Sequence, residues 1–114
     1  MSQKPRTHEA LIVINESNKF STDTNWKVVL TSTYDEAVAE IDKGSVDIVL
    51  TEIILYQSPQ DGFDLLQYVR TSENEQIAKL PVVMITNMSQ EQDRKRAMDM
   101  GATDYLVKTE VTIR

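Results

Sequence analysis

The sequence predicts an α/β domain in which helices pack on a parallel β-sheet. Short apolar runs alternate along the chain with amphipathic stretches, which is typical of strands and helices that follow one another in such a domain. The apolar runs are hydrophobic at consecutive positions, as expected for strands that are buried on both faces. A length of 114 residues fits one domain of this class.

Five apolar runs are predicted to form the strands of this sheet. They are rich in valine, isoleucine and leucine, and they span residues 10–14, 27–30, 47–53, 82–86 and 105–107. The first two strands are joined by a short link, and each later pair is joined by a helix.

Three helices are predicted between the later strands. The first follows a capping box at 33–36 and ends at Gly44. The second begins at Asp61, where apolar residues recur at helical spacing. The third is predicted to open with a capping box at 89–92 and to stop at Gly101.

The composition excludes several classes of function. The absence of cysteine excludes a disulfide framework, a thiolate zinc site and a thiol nucleophile. The longest uninterrupted apolar run, at 10–14, is too short to span a membrane, and residues 1–9 read as a flexible N-terminal segment without a signal peptide. The cytoplasm is therefore the expected location. A net charge of −6 argues against direct binding to nucleic acid.

Four motifs, in this order, resemble the receiver domain of bacterial response regulators. They are the apolar run at 47–55, then Asp61-Gly62-Phe63-Asp64-Leu65-Leu66, then Pro81-Val82-Val83-Met84-Ile85-Thr86, then Gly101-Ala102-Thr103-Asp104-Tyr105-Leu106-Val107-Lys108. The resemblance implies a doubly wound, five-stranded, flavodoxin/CheY-like sheet of strand order 2-1-3-4-5 within a domain at 10–114. It also implies a signalling module of a two-component phosphorelay rather than an enzyme, with a histidine kinase or an output domain as its protein partner.

The resemblance places Glu52 at the position of the phosphoacceptor aspartate. A glutamate moves the carboxylate outward by about 1.5 Å, one carbon–carbon bond, and phosphoryl transfer depends on positioning and charge stabilisation. We therefore expect a pseudo-receiver without catalytic residues. Thr86 and Lys108 match the family residues that contact the phosphoryl group, and Lys108 is predicted to pair with Glu52. A satisfied hydroxyl at a strand end and a surface lysine are the alternative roles of Thr86 and Lys108. Tyr105 matches the aromatic switch, whose ring rotates inward; half-buried packing is the alternative explanation for it.

In the family, two acidic residues after the first strand bind Mg²⁺ together with the acceptor. Here that strand ends Ile14-Asn15-Glu16, so the pair is either Asn15 with Glu16 or Ile14 with Asn15. One carboxylate or none survives, which predicts no required cofactor and at most a weak Mg²⁺ site at Asn15, Glu16 and Glu52. A polar turn residue and a solvated surface carboxylate are the alternative roles of Asn15 and Glu16.

The chain departs from the family at the two places where the first and last helices would lie. The 15–26 crossover has only Phe20 and Trp26 as large apolar residues, and six residues follow Lys108. Both helices are therefore expected to be shortened or absent, although a truncated C-terminus would explain the second. One sheet face would then be open, and it is expected to include Leu11, Val13, Val28 and Leu30. A homodimer or a partner chain would cover it, or Trp26 and Phe20 would fold back as a lid.

Three functional hypotheses follow. The first is an interaction module that works without phosphorylation, the second is a receiver phosphorylated on Glu52 or a nearby carboxylate, and the third is an engineered phosphomimetic with trimmed outer helices. Phosphotransfer from a small phosphodonor separates the first two. An unrelated enzyme is disfavoured because the chain has a single histidine, His8, no cysteine and no glycine-rich phosphate loop.

Overall fold

The computed structural model of the chain describes residues 7–15 and 25–108. Its strands form one parallel sheet of order 2-1-3-4-5, numbered along the chain, as predicted. The strands lie within one residue of their predicted bounds, at β1 Glu9–Val13, β2 Lys27–Thr31, β3 Ile48–Glu52, β4 Val82–Thr86 and β5 Asp104–Val107. With its flanking helices, this sheet has the CheY/flavodoxin-like α/β fold.

The described helices are α1 Tyr34–Asp42, α2 Gly62–Arg70, α3 Glu75–Ala78 and α4 Glu91–Asp99. The predicted capping box of α1 is confirmed, since the Thr33 side chain accepts from the Glu36 N–H and the Glu36 side chain accepts from the Thr33 N–H. A second capping box, between Asp61 and Asp64, begins α2. None of these helices combines the length and the hydrophobicity that a bilayer crossing requires.

The start of α4 corrects one prediction. Its N-cap is Gln90, whose side chain makes no capping hydrogen bond, so the capping box expected at Ser89 and Gln92 is wrong. The helix begins one residue later than that box requires.

The one-turn helix α3 was not predicted, because four residues carry no periodic pattern. Its sequence signal is Asn74, whose side chain accepts from the first N–H groups of the turn.

Alternate residues of each strand point to opposite faces of the sheet. One face, the covered face, carries Leu11, Val49, Met84 and Tyr105 among its fully or almost fully buried residues. These residues belong to one core cluster together with buried residues of all four helices. The described helices therefore pack on a single face.

The other face, the open face, consists of the intervening strand residues. Val28, Leu30, Leu50, Ile85 and Leu106 on it are half-buried, and no helix of the described residues packs against it. The placement of Leu11 and Val13 on the open face is wrong. The strand register puts both on the covered face, and Ala10 and Ile12 lie on the open face in their place. Ala10 and Ile12 are 8% and 3% exposed, so the open face is buried along β1 and half-buried at the named residues of the other strands.

The expectations for the outer helices and for the lid depend on segments that are only partly described. Residues 16–24, which include Phe20, and residues 109–114 lie outside the described part of the chain. Trp26 precedes β2 and is 40% exposed, and its ring centroid lies 5.0 Å from that of His8.

Candidate functional site

The carboxyl edge of the sheet brings Glu52, Asn15 and Lys108 together. Glu52 is the last residue of β3, and the other two follow the ends of β1 and β5. The Lys108 Nζ lies 2.7 Å from Oε2 of Glu52, which forms the predicted ion pair. The Asn15 N–H donates to Oε1 of Glu52 over 2.9 Å. Both carboxylate oxygens are thus engaged, and the Glu52 side chain is 15% exposed against 38% for Lys108.

The side chain of Asn15 is engaged with the loop between β3 and α2. Its Nδ2 donates to the Ile54 carbonyl over 2.9 Å, and its Oδ1 accepts from the Tyr56 N–H over 2.9 Å. A carbonyl needs a donor and an N–H needs an acceptor, so these two contacts fix the orientation of the amide. The side chains of Ile54 and Tyr56 are 49% and 79% exposed, while Leu55 between them is buried.

Gly62 ties the far end of the same loop to β3. Its N–H donates to the Ile53 carbonyl over 2.6 Å. A Cβ at this position would lie 2.3 Å from the Glu52 carbonyl oxygen and 2.9 Å from the Ile53 Cα, so only glycine fits without displacing the backbone. The backbone that carries Glu52 is therefore packed directly against the start of α2.

Thr86 and Tyr105 meet at a third residue, Met88. The Thr86 hydroxyl accepts from the Met88 N–H over 3.0 Å, and the Tyr105 hydroxyl donates to the Met88 carbonyl over 2.8 Å. Thr86 is buried, and its hydroxyl oxygen is engaged with this loop rather than with Glu52. Tyr105 is 2% exposed, so its ring is packed in the core and is fully rather than half buried.

Arg94 of α4 holds Tyr105 from the other side. Its guanidinium carbon lies 5.0 Å from the ring centroid, and its Nη1 donates to the Tyr105 carbonyl over 3.0 Å. Burial raises the pKa of Tyr105, with the nearby Asp93 adding to the rise and Arg94 opposing it. The hydroxyl therefore remains protonated, as donation to Met88 requires.

The described residues at this edge are a poor fit for Mg²⁺. They contain no group of three or more histidine, cysteine, aspartate or glutamate side chains placed to hold a metal ion. The amide oxygen and nitrogen of Asn15 both face the loop. Of the predicted ligands that the structure describes, the Glu52 carboxylate is then the one that could offer a charged oxygen to the metal ion. Glu16, the other predicted ligand, lies outside the described residues.

Sequence reasoning placed Glu52 and Lys108 correctly relative to each other, and it missed three contacts of the site. These are the bridge from Asn15 to the loop, the role of Met88 between Thr86 and Tyr105, and the contact of Arg94 with Tyr105. The first two use backbone groups, which no residue type signals. Arg94 stands 11 residues before Tyr105, and nothing in the local pattern pairs them.

Comparison with known proteins agrees with this architecture. The chain is similar to the chemotaxis response regulator CheY4 of Vibrio cholerae, with a TM-score of 0.77 and 21% identity over 90% of this chain and 88% of that one. It is also similar to a two-component response regulator from Clostridium difficile, with a TM-score of 0.76 and 24% identity over 90% of this chain and 84% of that one. Both likenesses concern the fold.

Curated relatives match by sequence over part of their length. The phosphate regulon transcriptional regulatory protein PhoB of Klebsiella pneumoniae is 33% identical over 66% of this chain and 31% of its own length. A gliding motility regulatory protein of Myxococcus xanthus is 31% identical over 69% of this chain and 10% of its own. The chain thus spans less than a third of these relatives. The family model of the response regulator receiver domain matches residues 9–112, and the chain belongs to that family.

Proposed function

We propose that this chain is a pseudo-receiver, a response regulator receiver module that binds a protein partner without being phosphorylated. The observation that carries the proposal is the engagement of Glu52 at both carboxylate oxygens, by the Asn15 N–H and by the Lys108 ammonium. An oxygen that attacks phosphorus must be free to align with the leaving group, and a glutamate carboxylate sits about 1.5 Å further out than that of an aspartate. Phosphorylation would require the contact to the attacking oxygen to be released.

The longer side chain also carries negative charge outward from β3, towards Lys108. A phosphoryl group on an aspartate would extend negative charge in the same direction. The inward, hydrogen-bonded ring of Tyr105 agrees with this picture, because the family resemblance associates an inward ring with the switched state. The proposal is therefore that Glu52 holds the module in one state permanently, with Thr86 and Tyr105 joined through Met88.

The partner in this proposal is another protein, either a histidine kinase or an output domain, in the cytoplasm. Relatives such as PhoB are named transcriptional regulatory proteins and extend well beyond the matched region, which favours an output domain. The net charge of −6 favours a protein over direct contact of this domain with nucleic acid. A required cofactor is not part of the proposal; a weak Mg²⁺ site is the most that the residues support.

The test is the intact mass of the protein after incubation with acetyl phosphate and Mg²⁺. We expect no phosphate increment on the unmodified chain. We expect weak labelling after Glu52→Asp, which shortens the side chain and draws the carboxylate back towards β3. The matched control is Glu73→Asp, the same change at an exposed turn residue, which should behave like the unmodified chain. A hydroxylamine-sensitive phosphate increment on the unmodified chain would refute the proposal and favour the competing function, a receiver phosphorylated on Glu52 or a nearby carboxylate.

A further inference from the structure

Asn15 makes three hydrogen bonds that join separate parts of the carboxyl edge. Its backbone N–H donates to Glu52 Oε1, its side-chain nitrogen donates to the Ile54 carbonyl, and its side-chain oxygen accepts from the Tyr56 N–H, all at 2.9 Å. One residue thereby connects the end of β1 to the carboxylate and to the loop after β3. In the receiver family, a divalent cation bound between the acidic pair and the acceptor carboxylate joins the same two strand ends.

Within residues 7–15 and 25–108, the oxygens that could receive a cation at this edge already face hydrogen-bond donors. The two Glu52 oxygens face the Asn15 N–H and the Lys108 ammonium, and the Ile54 carbonyl faces the amide nitrogen of Asn15. Mg²⁺ requires oxygen ligands in near-octahedral geometry and is usually held by one or two carboxylates with several waters. A bound dication would have to displace the side-chain amide from the Ile54 carbonyl and compete with Lys108 for the carboxylate.

We infer that Asn15 takes the place of the divalent cation in this receiver, so that the loop from Ile54 to Tyr56 is held in position without a metal ion. The inference deepens the proposed function and rests on it, because a module that works without phosphorylation needs its loop in place without the ion that supports phosphorylation. The exposed side chains of Ile54 and Tyr56 are then displayed by Asn15 permanently.

The chemistry of the two neighbours explains why an asparagine suits this role. The Ile54 carbonyl needs a donor and the Tyr56 N–H needs an acceptor, and an asparagine side chain supplies one of each. An aspartate would satisfy the Tyr56 N–H and turn its second oxygen towards the Ile54 carbonyl, where two acceptors repel. With a cation between them, the same two oxygens and Glu52 would become ligands. Asn15→Asp should therefore convert a metal-independent site into a metal-dependent one.

The experiment is thermal unfolding of the full chain, measured either with EDTA or with about 1–10 mM MgCl₂ at matched ionic strength. We expect the midpoint of the unmodified chain to be unchanged by Mg²⁺. Asn15→Asp should lower the midpoint in EDTA by about 4–8 °C, and Mg²⁺ should restore it, since a cation at about ten times its Kd shifts the folding equilibrium roughly tenfold. Asn15→Ala should be destabilised and not restored. Asn74→Asp, the same change at the N-cap of α3, should show neither effect.

A stabilising response of the unmodified chain to Mg²⁺ would overturn the inference, as would an Asn15→Asp variant that is equally stable in EDTA or insensitive to Mg²⁺. Should that variant fail to fold, amide hydrogen exchange on the unmodified chain in EDTA decides the matter. The Asn15 and Tyr56 N–H groups should then exchange slowly, and rapid exchange of both would contradict the inference. These measurements contain no phosphodonor, so they test the role of Asn15 separately from phosphorylation. Phosphate incorporation in the mass experiment would refute the proposed function, whereas the outcomes above would refute the role of Asn15.

Discussion

Removal of the Lys108 side chain tests the ion pair on which the site depends. The Glu52 side chain is 15% exposed in the intact pair, and Lys108→Ala leaves its carboxylate with the Asn15 N–H as the remaining partner. Exposed pairs are worth about 0–1 kcal/mol, whereas removal of one partner from a fully buried pair costs roughly 3–5 kcal/mol. Glu52 is largely buried and Lys108 is 38% exposed, so we expect the free energy of unfolding to fall by about 1.5–2.5 kcal/mol, a value between these limits.

This free energy corresponds to a measurable shift in the unfolding midpoint. At about 2.1 cal/mol/K per residue, a chain of 114 residues has an unfolding entropy of about 240 cal/mol/K. A loss of 1 kcal/mol then lowers the midpoint by about 4 °C, and Lys108→Ala should lower it by about 6–10 °C. Calorimetry and urea titration at neutral pH provide the two measurements.

A matched control is available at Lys43, whose Nζ lies 2.9 Å from Glu40 on the surface of α1 with a side chain 62% exposed. Lys43→Ala should cost less than about 0.5 kcal/mol, and the difference between the two variants isolates the effect of burial. A double-mutant cycle with Glu52→Gln then gives the coupling energy of the pair. If Lys108→Ala costs no more than Lys43→Ala and the coupling energy is zero, Lys108 lies in solvent. The ion pair with Glu52 would then be refuted.

Three other predictions concern the loop, the helices and the open face. Gly62→Ala should lower the free energy of unfolding by about 1–3 kcal/mol in urea titration, because its Cβ would meet a backbone oxygen of β3 at 2.3 Å; an unchanged midpoint would contradict this. Tyr68 donates to Asp42, and this hydrogen bond, with burial, raises the pKa of Tyr68 to about 12. Its folded pKa exceeds the unfolded value of 10.0, so the stabilisation is complete below pH 10 and is lost as pH rises towards 12. At pH 8 the Tyr68→Phe variant should therefore have a lower free energy of unfolding than the unmodified chain, and between pH 10 and 12 it should lose less of it. Equal losses for the variant and the unmodified chain over that pH range would refute the assignment. A second copy of the chain should cover the open face, so the mass from light scattering should rise with concentration. Leu106→Gln on that face should reduce the rise, and Met98→Gln on α4 should not; a 13.0 kDa species at every concentration, without binding of a hydrophobic dye, would exclude the dimer.

The strands could be predicted from the sequence, whereas the face to which their side chains point could not. In β1, the residues from Ala10 to Val13 are all apolar, so the run has no alternation that would separate a helix-covered face from an open one. The assignment of Leu11 and Val13 to the open face failed for that reason. The register with β2 and β3 decides the question, and register depends on contacts between segments distant in the chain.

The same distinction separates the parts of the site that were predicted from those that were missed. Glu52 and Lys108 are charged residues at the ends of β3 and β5, which lie on either side of β4. The receiver resemblance predicted their pairing at the edge where the carboxyl ends of the parallel strands meet. The contacts of Asn15 and Met88 involve backbone N–H and carbonyl groups that every residue carries, and only the folded loops reveal which of them lack partners. An asparagine at the end of β1 therefore looked like an ordinary turn residue in the sequence. By our inference, its three hydrogen bonds in the folded chain keep the loop after β3 in place although at most one carboxylate of the family's acidic pair is expected here.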